Sequence, residues 1–74
     1  MAEDARVEAR RRELLAKGYP ERVVQLGMTW AVNSAEGQAA YFAKDDLKKK
    51  AEFQAQFLSR YLEDASTWVK TMAE

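Results

Sequence analysis

Residues 47–74, LKKKAEFQAQFLSRYLEDASTWVKTMAE, decide the fold. Leu47, Ala51, Gln54, Leu58, Tyr61, Ala65, Trp68 and Met72 recur at alternating spacings of four and three, and Leu62 and Val69 widen the same stripe. That period keeps one side of an α-helix apolar along its whole length, whereas strand side chains change face at every residue. At about 100° per residue, Phe53, Phe57, Tyr61 and Trp68 form an aromatic band beside the stripe, so the apolar surface spans nearly half of the helix. One neighbouring helix would not cover a surface that wide.

The same reading extends upstream. Ala, Leu, Met, Glu, Lys, Arg and Gln fill 46 of the 74 positions, against five Val, three Thr and no Ile, so propensity favours helix almost throughout. The first interruption is Gly18-Tyr19-Pro20. Gly18 suits the left-handed residue after a helix end, Lys17 suits the negative end of the helix dipole, and Pro20 suits the first turn of a new helix. A first helix is predicted over residues 3–17, with residues 1–4 frayed. Val7, Leu14 and Leu15 are its only large apolar residues, so its N-terminal half is expected to be solvated and weakly docked.

A second helix is predicted from about Pro20, with Val23, Leu26, Gly27, Trp30 and Ala31 on one side. A break is expected near Asn33-Ser34, where Ser34 can cap and Gly37 lowers helix propensity. Asp45 or Asp46 offers another cap ahead of Leu47. Residues 35–44 are left open between a short helix, the start of a long one and a turn. The expected architecture is all-α: one small domain over residues 1–74, with a short charged first helix and a helical hairpin ending in a long C-terminal helix.

Composition excludes several chemistries. There is no Cys and no His, which removes disulfides, thiolate nucleophiles, zinc sites built on those ligands and the side chain that titrates near neutrality unaided. Adjacent carboxylates (Glu3-Asp4, Asp45-Asp46, Glu63-Asp64) diverge by about 100° on a helix and form no two-carboxylate site. Ser34, Ser59 and Ser66 lack a desolvated base, Ser66 being expected on an exposed face, and three dispersed glycines make no phosphate loop. No catalysis, cofactor or metal is expected. The longest uninterrupted apolar run, residues 39–43, is too short to span a bilayer, and Glu3, Asp4 and Arg6 are unlike the start of a signal peptide. A cytoplasmic protein without membrane association is expected.

Twelve Lys+Arg balance twelve Asp+Glu, so nothing in the net charge favours indiscriminate polyanion binding. Arg6, Arg10, Arg11 and Arg12 are interleaved with Glu8 and Glu13 at spacings of three and four, the pairing of a solvated helix. Lys48, Lys49 and Lys50 are likewise surrounded by Asp45, Asp46 and Glu52. Residues 23–33 resemble part of a helix-turn-helix, with Gly27 at the turn and Thr29 as a cap. The match fails at Asn33 and Glu36, which fall where the second helix needs buried apolar residues. Gly27 is read instead as a point of close helix approach.

Of the 35 hydrophobic residues 13 are Ala, which leaves 22 large apolar side chains, a thin core for a chain without disulfide or metal. Self-association or a partner is therefore expected. The leading expectation is a non-catalytic interaction module, a small regulator, inhibitor or adaptor that forms a homodimer and binds a protein partner. Its contact surface would be Phe53, Phe57, Tyr61, Trp68 and Met72, rimmed by Lys50, Asp46 and Asp64. The alternatives are a DNA-binding regulator using Arg6, Arg10, Arg22, Thr29 and Asn33, and a structural subunit of a larger assembly.

Overall fold

The computed structural model describes residues 4–73, which form three helices and no strand: α1 (Ala5–Ala16), α2 (Glu21–Ala43) and α3 (Leu47–Ala73). α2 and α3 pack as a long antiparallel hairpin, and α1 lies along one side of it. None of these helices is long and apolar enough to cross a membrane.

Each connection has a local cause. Asp4 caps α1 by accepting from the Arg6 N–H at 2.9 Å. Of the four residues expected to fray, therefore, one is a helix cap, and residues 1–3 lie outside the described residues, as does the predicted start of the helix at Glu3. Gly18 ends α1 with φ 91°, its N–H donating to Leu15 O at 3.0 Å while the Tyr19 N–H reaches Leu14 O at 3.4 Å. This is a Schellman ending, and it requires the left-handed conformation that glycine adopts without strain. Pro20 is extended and sits just before α2, one position earlier than a first-turn residue. Asp46 starts α3, its carboxylate accepting from the Lys49 N–H at 3.0 Å.

The predicted break at Asn33-Ser34 does not exist. α2 runs unbroken to Ala43, so residues 35–43 are helix and Lys44 is its C-cap. Ala31, Ala35, Ala39 and Ala43 explain the continuity: they recur every fourth residue, all are buried, and they lie in the seam with α3. Packing along that seam outweighs the weak propensity of Asn33, Ser34 and Gly37, because most helix stability in a folded chain comes from tertiary contact.

The core is built from Val7 and Leu14 of α1, Val24, Met28, Ala31 and Ala35 of α2, and Leu58, Leu62, Ala65 and Val69 of α3. Burying each of the larger side chains contributes about 1.5–3 kcal/mol. Three sequence expectations change here. The α3 stripe is core only from Leu58 onward, since Leu47 stays 80% exposed. The buried side of α2 is Val24, Gly27, Met28 and Ala31, and Leu26 and Trp30 fall outside it. Ser66 is buried.

The N-terminal half of α1 is docked, contrary to expectation. Val7 is buried, Arg6 Nη1 donates to Ala55 O at 2.9 Å and to Ser59 Oγ at 2.7 Å, and Arg10 bridges to Ser66 Oγ at 2.8 Å and Glu63 at 2.7 Å. Partners rise in number along α1, so α1 runs parallel to α3. Two arginines thus do what the few apolar residues could not do alone.

Candidate protein-binding face

The side of the hairpin opposite α1 is open. On α3, Ser59 and Ser66 face α1, whereas Phe57 and Trp68 stand two residues away from them, about 200° around the helix. On α2 the row Leu26, Trp30, Gly37, Tyr41 follows spacings of four, seven and four, which keeps it on one face. Leu26, Trp30, Tyr41, Phe42, Trp68 and Met72 are between 40% and 75% exposed. Large apolar side chains left in a contiguous patch on a chain this small make this face a candidate interaction surface.

Two clusters make up this face. Near the C-terminal end of α3, Leu26, Gly27, Trp30, Asp64 and Trp68 line an open cleft of about 460 Å³. Trp30 meets Tyr61 edge-to-face, ring centres 5.4 Å apart. Towards the turn, Phe42 packs at 5.7 Å from Phe57 and 6.3 Å from Phe53, with Tyr41 edge-on to Phe42 at 5.2 Å. Such ring pairs lock side chains that would otherwise swing freely, which leaves a preformed surface with little entropy to lose on binding.

The predicted contact residues divide by depth. Phe53, Phe57 and Tyr61 are half-buried, and Phe57 and Tyr61 also pack on the core, so part of the predicted contact surface already serves the fold. Trp68 and Met72 are exposed on the same side. Lys50 is half-buried, Asp64 lies at the cleft, and Asp46 is engaged as the α3 cap. Sequence reasoning missed Tyr41 and Phe42, and it grouped Leu26 and Trp30 on one side of the helix with Gly27 and Ala31, which are buried where Leu26 and Trp30 are not. The spacing of the α2 row was the signal, but it could be read only once the alanine seam fixed which side of α2 meets α3.

The basic residues weighed for nucleic acid go elsewhere. Arg6 and Arg10 are bonded to α3 and to Asp4 and Glu63. The Arg6 hydrogen bonds hold the Asp4 carboxyl below its ordinary range, and the Arg10 hydrogen bond does the same for Glu63. Arg22, Thr29 and Asn33 share an exposed face of α2, where Thr29 pairs with Gln25 at 3.4 Å. Residues 23–33 all lie within one helix, so the turn that a helix-turn-helix needs is absent, and Gly27 is the point of close approach.

Comparison with protein families, curated proteins and solved structures finds no match to this chain. The open face is therefore read from its own chemistry.

Proposed function

We propose that this chain is a non-catalytic interaction module, a small regulator, inhibitor or adaptor that acts by docking its open aromatic face onto a protein surface. The observation that carries the reading is the preformed row of exposed large apolar side chains opposite α1, from Tyr41 and Phe42 to Trp68 and Met72. Its composition is that of interface centres, which are rich in Trp, Tyr, Phe and Met.

The test uses side chains that can be changed without opening the core. Leu26→Gln and Met72→Gln act at positions 56% and 57% exposed, so helicity and melting temperature should hold. A tagged wild-type chain should capture protein, another copy of itself included, in the presence of nuclease, and the double variant should lose that capture. Trp68→Ala should weaken the same association by about 2 kcal/mol or more if Trp68 anchors the contact. Capture that survives the double variant would overturn the docking face, and capture that vanishes with nuclease would move the function to nucleic acid.

A further inference from the structure

The open face of α3 has an order of its own. Lys50, Phe53, Phe57, Tyr61 and Asp64 follow spacings of three, four, four and three, symmetric about Phe57. At about 100° per residue the five fall within an arc of about 80°, so they form one row along the helix. The ends of the row carry opposite charges, and among the described residues neither the Lys50 ammonium nor the Asp64 carboxylate has an ion-pair partner.

We propose that the occupant of this face is a second copy of the chain, laid antiparallel with its two-fold axis at Phe57. This deepens the docking-face reading and rests on it. In that register each Lys50 meets the other copy's Asp64, each Phe53 meets the other copy's Tyr61, and the two Phe57 rings meet on the axis. A parallel pairing would set Lys50 against Lys50 and Asp64 against Asp64. A two-fold contact must be self-complementary, and this row is so in one orientation only.

α2 supports the same axis. A Cβ on Gly27 would sit among Val69, Trp68 and the Ala65 carbonyl, which places Gly27 level with about residue 67 of α3. Both helices rise equally and run antiparallel, so ten positions along α2 bring Gly37 level with about Phe57. Gly37 is exposed, lies in the row of Leu26, Trp30 and Tyr41, and has nothing within 4 Å of the Cβ it lacks. A mid-helix glycine costs about 1 kcal/mol relative to alanine and has no packing use inside this chain. On the two-fold axis it would let two α2 backbones approach.

The area suffices. The chain is 40 Å long and 15 to 22 Å across, so a long face offers about 600–900 Å², against the roughly 800 Å² per partner of a standard interface. The result would be a four-helix bundle of two stacked hairpins, with each α1 on the outside.

Sedimentation equilibrium tests this directly. The wild type should sediment at twice its 8.5 kDa mass at micromolar concentration. Lys50→Asp alone and Asp64→Lys alone should each raise the dimer dissociation constant about tenfold or more, because each substitution creates two like-charge contacts. The double variant should restore the wild-type value. Mixing the two single variants should restore association as a heterodimer, since that pairing makes both contacts complementary. Circular dichroism should show all four chains equally helical, as the changed side chains lie outside the core cluster.

A wild-type dimer that both single variants leave unmoved would overturn the register. A wild type monomeric at high micromolar concentration, but still capturing another protein through Leu26 and Met72, would overturn the second copy and leave the docking face standing. A monomer that captures nothing would overturn both.

Discussion

The Cβ that Gly27 lacks would lie 2.9 Å from Val69 Cγ2. Val69 is fully buried and β-branched, so its methyl has no free rotamer into which to retreat. The hairpin is therefore tightly packed where α2 has no side chain, and buried alanines follow at every fourth position toward the turn.

Gly27→Ala should consequently destabilise the fold by about 1–2 kcal/mol, overpacking outweighing the gain in helix propensity. Gly37→Ala, with open space around it, should stabilise the isolated chain by up to about 1 kcal/mol. Urea unfolding in the Lys50→Asp background, where the proposed self-association would be weakened, measures both. Equal effects of the two substitutions would show that the approach at Gly27 is not tight.

Ser66 Oγ accepts from Arg10 and donates to Leu62 O, both at 2.8 Å. Ser66→Ala removes one α1–α3 tie and should cost about 1 kcal/mol. Arg10→Ala removes that tie together with the Glu63 pair, and hydrogen exchange should then quicken in α1 while the α2–α3 hairpin keeps its protection. Uniform loss of protection across all three helices would show α1 to be integral to the hairpin's stability.

The carboxyls of Asp4 and Glu63 are both held below their ordinary ranges, chiefly by the side-chain hydrogen bonds from Arg6 and Arg10. A folded-state pKa below the unfolded one adds stability that is complete above the unfolded value and disappears as pH falls through the folded value. Both groups are well exposed, so the contribution is modest. The stability gap between wild type and the Asp4→Asn, Glu63→Gln double variant should be constant near neutrality and close below about pH 4. A gap independent of pH would show that these pairs hold nothing.

Lys44 has φ 54° and ψ −115° in the turn where the Asp46 N–H reaches Ala43 O at 3.0 Å. Glycine adopts this conformation freely and lysine does not. Lys44→Gly should raise stability by about 1 kcal/mol, read as a higher melting temperature. No gain would mean that the lysine side chain compensates for its own strain.

What the sequence revealed depended on how far each signal extended. The α3 stripe was legible because its period persists over more than twenty residues, and Gly18 was legible because a helix end there had a glycine, a basic neighbour and a following proline. The α2 seam was not, since Ala31, Ala35, Ala39 and Ala43 look like ordinary helix formers while Leu26 and Trp30 look like core. Close packing selects small residues, so Gly27 and Ala31 of the predicted side are buried while Leu26 and Trp30 are not. Half of the candidate face followed from the breadth of the α3 apolar surface. The α2 half depended on tertiary geometry, and the docking of α1 depended on two arginines whose partners lie some fifty positions away.

Trp30 and Trp68 are the chain's two tryptophans, and both stand on the open face, half-exposed, with no indole on the α1 side or in the core. Tryptophan fluorescence, excited at wavelengths that the three tyrosines do not absorb, is therefore a report from that face alone. Whatever covers it should shift the emission to shorter wavelength and shield it from a dissolved quencher, whereas loosening of α1 should leave the signal nearly unchanged. Occupancy of the face can thus be followed in the unlabelled protein, and separately from events on its other side.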